Sequence, residues 1–259
     1  MRILLELQNT QDQKDISLEY HKLQGFIYSL IKKSGFIGIH DKLGYKPFSF
    51  SNLFPFKNQK KGEIQKLIFA TPGHGLGEAV FETLEKQLHS QIHIGDCEYI
   101  LVGLKHINLD IQSFPFRALV STPIILRIPE YNYDIYEIPE VERKPRYIYW
   151  RPNVPFSAFI KQLTENITKK YNDFYGTEIH DILLFEKYFF KKMVHSRLII
   201  DGKSYGFAAS IWSFEWSTLA EIQKKILLFG FDAGFGERNS MGFGFVNPIE
   251  SALTTQKIK

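Results

Sequence analysis

The feature that most restricts the fold is the order in which the hydrophobic period changes along residues 1–110. Residues 2–8, RILLELQ, read as a short strand. From Ser17 to Lys33 apolar side chains fall at 18, 23, 26, 27, 30 and 31, the spacing of one helix face. KPFSFSNLF, Lys46 to Phe54, alternates aromatic with polar residues, as a half-buried strand does. IQKLIFATP follows as another strand, and Ala79, Val80, Leu84 and Leu88 place a helix between Gly77 and His89. EYILVGLKHI, residues 98–107, closes the series. The order β-α-β-β-α-β is the ferredoxin-like, or RRM-like, plan.

The second half repeats the order without repeating the letters. FRALVSTPIILRI, residues 116–128, reads as a strand, and a Tyr- and Pro-rich connection leads to a helix at 156–172. Strands near 181–200 and 204–214, a helix from Ser217 to about Gly230 and a final strand at GFVNP follow. The expected fold class is therefore α+β, two tandem ferredoxin-like βαββαβ domains over residues 1–110 and 111–249, with 250–259 as a tail.

Composition narrows the setting. A hydrophobic fraction of 44% and 15% aromatics give enough apolar surface for two cores. The single cysteine, Cys97, excludes an internal disulfide and any multi-thiolate zinc site, and fits a reducing, cytoplasmic location. No apolar run reaches membrane-spanning length, and MRILLELQN is charged too early for a secretory leader. The net charge of +4 is compatible with a nucleic-acid partner but is dispersed in short pairs such as Lys60-Lys61, Lys169-Lys170 and Lys224-Lys225, most of which are solvated surface in any protein.

GFGERNSMGFGF, Gly234 to Phe245, is the densest motif. Its glycines serve either as a long turn needing positive φ or as a backbone platform for phosphates, to which Arg238, Asn239 and Ser240 add donors. A dinucleotide fingerprint fails on context, because that motif leaves a strand and opens a helix. The run Gly234, Gly236, five residues, Gly242, Gly244 and an aromatic strand resembles the C-terminal G-x-G-x5-G-x-G loop of the CRISPR-associated endoribonucleases that process precursor CRISPR RNA. That family belongs to the RAMP superfamily and is built from two tandem ferredoxin-like domains.

The resemblance implies cleavage of CRISPR repeat RNA without metal or cofactor. A base takes the 2′-OH proton, an acid protonates the departing 5′-oxygen and a cation stabilises the phosphorane, leaving 2′,3′-cyclic phosphate and 5′-OH ends. The family's histidine follows the first helix, which selects His40 in GIHDKLGYKPFSFS; Lys46 and Tyr28 complete the set, as proton partner in the case of Tyr28 and as charge stabiliser in that of Lys46. On the residues alone, His40 is equally a solvated or capping residue, Tyr28 a core aromatic, and Tyr45 a competitor for its role. His74 has no second ligand at metal spacing, and His89 and His93, four apart, need not share a face because Ser90 to Ile92 leaves the helix.

For RNA contacts, the hairpin Phe189 to Tyr205 carries Lys191, Lys192, His195, Arg197 and Lys203, and Lys144, Arg146 and Arg151 alternate with Tyr147, Tyr149 and Trp150. Both have plain alternatives, a charge-protected edge hairpin and a strand with buried aromatics. Expected partners are repeat RNA and, in the runner-up reading of a non-catalytic RAMP-type subunit, the other proteins of a CRISPR effector complex; the chain is a monomer or homodimer with no membrane contact.

Overall fold

The computed structural model describes residues 1–12, 20–39, 44–56, 59–200, 203–249 and 253–255. The first elements are β1 (Arg2–Asn9), α1 (Tyr20–Lys33), β2 (Ser49–Phe50), β3 (Ile64–Ala70), α2 (His74–Glu85), β4 (Gln91–Ile94) and β5 (Cys97–Leu109). After them come β6 (Phe116–Val120), β7 (Ile124–Ile125), β8 (Arg127–Pro129), β9 (Tyr147–Tyr149), α3 (Phe156–Tyr175), β10 (Lys187–Ile200), β11 (Lys203–Trp216), α4 (Glu221–Ala233), β12 (Val246–Pro248) and β13 (Leu253–Thr255). The chain divides into two units: Met1–Asp110 with Ser240–Gly242 and β13, and Ile111–Asn239 with Phe243–Ala252.

In the first unit β1 lies between β3 and β5, antiparallel to both, and the sheet runs β13-β5-β1-β3-β2 with β4 folded back on β5. The four strands of the plan therefore stand in the order fourth, first, third, second. Ile3, Leu5 and Leu7 of β1 share one face and are fully buried with Leu23 and Ile27 of α1 and Val80 and Leu84 of α2. Each such side chain contributes about 1.5–3 kcal/mol on leaving water.

The second unit keeps the same strand order, β10-β11-β6-β12, with α3 after its first strand and α4 after its third. Its core is aromatic: Phe159 of α3 stacks on Trp212 at 4.1 Å, and Trp150 meets both rings while donating to the Pro155 carbonyl at 3.1 Å. Helix α3 stops at Gly176, which takes the left-handed conformation at φ 66° and returns its N–H to Asn172.

Three expected elements differ. The strand expected over 46–54 is reduced to Ser49–Phe50, since Pro47 and Pro55 bring no amide donor to the ladder. The strand expected over 116–128 is three pieces. The chain turns at Ser121-Thr122-Pro123, where both Ser121 and Thr122 amides donate to the Phe245 carbonyl and Thr122 Oγ1 accepts the Phe245 amide at 2.8 Å. In the tail, residues 253–255 form a strand that pairs with β5.

Candidate functional site

Two of the three expected catalytic side chains meet. Tyr28 lies on α1 beside the buried row Leu23, Ile27, Leu30 and Ile31, half-buried, with its ring edge-on to Phe48 at 5.6 Å. Eighteen residues later, Lys46 Nζ donates to the Tyr28 hydroxyl oxygen at 3.0 Å and stands 5.1 Å from the ring centroid. The segment carrying Lys46 is pinned on its C-terminal side: the Phe48 ring is fully buried, its amide donates to the Lys46 carbonyl, and Thr71 Oγ1 donates to the Pro47 carbonyl at 2.7 Å. Tyr45, the competing tyrosine, buries its hydroxyl, and it is Tyr28 that takes the lysine. His40 lies outside the described residues, between the 3-10 turn Ile37–Ile39 and Gly44.

The glycine loop follows α4. All four glycines have positive φ, 90° at Gly234, 71° at Gly236, 92° at Gly242 and 69° at Gly244. Space is as restrictive as angle: a Cβ on Gly236 would lie 2.5 Å from the Ile125 carbonyl oxygen, and one on Gly244 only 1.9 Å from that of Phe235. The intervening Phe235, Phe243 and Phe245 are fully buried, so each glycine lets the backbone pass while its neighbour enters the core. The four glycines are themselves buried, and the accessible crest consists of Glu237, Arg238, Ser240 and Met241.

Of the donors expected on that crest, Arg238 and Ser240 are partly exposed, with the Arg238 guanidinium over the Phe207 ring at 4.4 Å. Asn239 is turned inward: its amide group donates to the Phe235 and Phe243 carbonyls at 3.1 and 3.0 Å and ties the two ends of the loop together. Beneath it lies a residue that the sequence reading placed among surface pairs. Lys170 of α3 is buried and donates to the Gly234 carbonyl at 2.8 Å, the Gly236 carbonyl at 2.6 Å and Asn239 Oδ1 at 2.9 Å. Burial brings its ammonium down to about 7, with the Glu237 carboxylate opposing that shift. The signal was in the helix periodicity, because 170 continues the buried series Phe159, Leu163 and Ile167.

Beside the loop a cleft of about 330 Å³ is lined by Arg127, Tyr131, Arg146, Tyr147 and Lys169. Arg127 pairs with Glu237 and covers the Tyr147 ring at 4.9 Å. Of the basic and aromatic stretch at 143–151, Ile148 and Trp150 are core, Tyr149 is partly exposed, and Tyr147, Lys144, Arg146 and Arg151 are exposed. Arg146 holds a left-handed φ of 72° and its amide donates to the Glu130 carboxylate. On the long β10–β11 hairpin, a bulge at Lys191 shifts the register, and Lys191, Lys192 and His195 are exposed; the Arg197 and Lys203 side chains lie outside the described residues. His89 sits after α2 and His93 on β4, where it faces Glu98 at 3.8 Å; no group of three His, Cys, Asp or Glu that could hold a metal ion occurs among the described residues.

This architecture has known counterparts. Residues 111–248 match the family described as CRISPR associated protein Cas6, C-terminal. A CRISPR-associated endoribonuclease Cas6 of Methanocaldococcus jannaschii is 26% identical over 257 residues, covering 96% of this chain and all of the relative, and that of Haloferax mediterranei is 25% identical, covering 96% and 94%. Among solved structures, a CRISPR associated protein Cas6 superposes with a TM-score of 0.68 at 23% identity over 96% of this chain and 99% of its own, and a Cas6-related protein from Pyrococcus furiosus with 0.63 at 21% over 96% and 98%. With a loop of the expected spacing, two βαββαβ units in the expected strand order and a family match across more than half its length, the chain belongs to the Cas6 family of CRISPR-associated proteins and has the tandem ferredoxin-like fold of RAMP proteins.

Proposed function

We propose that this protein is a metal-independent endoribonuclease that cuts CRISPR repeat RNA into guide units. The observation that carries the reading is the Lys46–Tyr28 pair, a cation and a proton-bearing hydroxyl held 3.0 Å apart, in a family whose full-length relatives are named endoribonucleases. Cleavage by the substrate's own 2′-OH needs no protein nucleophile. The proton leaves the 2′-OH, the oxygen attacks the adjacent phosphorus, and the P–O5′ bond breaks as the 5′-oxygen takes a proton. His40 and Tyr28 serve as the proton-transfer groups, and Lys46 offsets charge on the phosphorane. Each proton role is worth about 10²- to 10⁴-fold in rate.

The RNA is held by the crest of the glycine loop through Arg238 and Ser240, by Lys191 and Lys192 of the hairpin, and by Arg146 and Arg151, a set of contacts suited to backbone and single-stranded RNA. The test uses end-labelled repeat RNA in excess EDTA, with wild type, His40→Ala and a substrate carrying one 2′-deoxy at the cut. Cleavage by wild type alone, abolished by the deoxy substitution, is the expected result. Cleavage that requires added metal, or that survives the deoxy substitution, refutes the mechanism. Tight binding with no cleavage moves the protein to a non-catalytic subunit.

A further inference from the structure

Lys170 is a buried charged group that the cleavage mechanism does not use. Its three acceptors match the three protons of an ammonium, whereas a neutral amine has two protons and leaves one acceptor without its donor. Asn239 extends the arrangement, since it accepts from Lys170 and donates to two more loop carbonyls. Four carbonyl oxygens of the loop, those of Gly234, Phe235, Gly236 and Phe243, are thereby drawn inward onto the Lys170–Asn239 pair. The loop from Gly234 to Asn239 is thus tied to a buried ammonium whose field water screens little.

The charged groups with contacts to the loop are Glu237 and Arg238 on the loop itself and Arg127 on β8. Glu237 is the one that acts on the ammonium, and it is itself paired with Arg127. We propose that Lys170 is a positioning residue for the RNA-binding crest: charged, it holds the loop carbonyls inward and places positive potential beneath the phosphates, so that RNA binds most tightly to the protonated form. The proposal rests on the reading of the loop as an RNA contact. It makes affinity a function of pH. The free protein titrates at about 7, bound phosphate raises that value, and affinity is therefore greatest below pH 7 and falls as pH rises through the bound-state value.

The test is the affinity for repeat RNA carrying a 2′-deoxy at the cut, measured from pH 5.5 to 9 at constant ionic strength, for wild type, Lys170→Met and Arg238→Ala. Wild type is expected to lose roughly tenfold in affinity across this range, an ordinary size for coupling between two sites. Lys170→Met is expected to be about tenfold weaker at pH 6, to converge on wild type at pH 9, and so to lack that part of the profile. Arg238→Ala is expected to weaken binding evenly at every pH. A Lys170→Met profile parallel to wild type overturns the proposal, whereas an Arg238→Ala protein with unchanged affinity overturns the loop's role in RNA binding instead. Should Lys170→Met not fold, the lysine ¹³Cε titration of the wild-type protein decides: an upward move on adding RNA supports the proposal, and an unmoved midpoint refutes it.

Discussion

Gly244→Ala and Gly176→Ala form a controlled pair. Both glycines lie in the second unit at nearly the same left-handed φ, 69° and 66°, but their surroundings differ. Around Gly176 a new Cβ meets nothing within 4 Å. Its cost is the left-handed penalty alone, about 1–2 kcal/mol, from which the lower entropy of the unfolded chain removes about 0.4–1 kcal/mol. At Gly244 the Cβ would lie 1.9 Å from the Phe235 carbonyl oxygen, so the two strands of the loop must separate by about 1.5 Å to reach ordinary contact. That movement breaks the Phe235 amide bond to the Gly244 carbonyl and the Asn239 bond to the Phe235 carbonyl. Leaving such buried groups unmade costs about 1–3 kcal/mol each. The expected totals are about 0.5–1 kcal/mol for Gly176→Ala and about 3–6 kcal/mol for Gly244→Ala. Thermal unfolding followed by near-ultraviolet circular dichroism, which reports the tryptophan core of the second unit, should show a fall in Tm several times larger for Gly244→Ala. Equal shifts would refute the argument that the loop glycines are required by close backbone approach rather than by φ alone.

Three further outcomes are expected. Tyr28→Phe should keep the fold, since its ring still packs on Phe48, and lower the single-turnover cleavage rate by about 10²-fold; an unchanged rate removes Tyr28 from the chemistry. Asn239→Leu, close in shape, removes the amide bonds to the Phe235 and Phe243 carbonyls and the side-chain acceptor of Lys170, and should cost about 2–4 kcal/mol in urea unfolding, against no change if the amide only fills space. Stability should also rise with alkaline pH: the unfolded lysine stays protonated to its ordinary 10.5 while folded Lys170 loses its proton near 7, so between these values the unfolded state binds more protons and stability gains about 1.4 kcal/mol per pH unit from this group. Urea midpoints of wild type and Lys170→Met at pH 7 and 9 check it, and a wild-type difference no larger than the variant's contradicts the assignment.

Much of the fold was legible because the burial pattern is local. Ile3, Leu5 and Leu7 on one face of a strand, or Leu23, Ile27 and Leu30 on one face of a helix, are visible as spacing before any partner is known. Strand limits were less legible where long-range bonds set them. The break at Ser121–Pro123 depends on Phe245, more than a hundred residues away, and the β8–β9 pair joins the end of the expected strand to a stretch of the Tyr- and Pro-rich connection. The same division runs through the site. Tyr28 and Lys46 were selected by the family resemblance, and spacing said nothing of the 3.0 Å contact between them.

By itself the sequence determined the alternation of periods, the two β-α-β-β-α-β series and a glycine spacing that allows positive φ at four points, since these are properties of neighbouring residues. Tertiary structure alone decided how polar groups are spent. Asn239 became a tie within the loop instead of a surface donor, and of two adjacent lysines Lys169 was left in solvent while Lys170 was buried under three oxygens. The physical reason is that a hydrogen bond or a charge acquires its value from the distance and dielectric of its partner, and for Lys170 the acceptors lie 64 to 69 positions away in the chain.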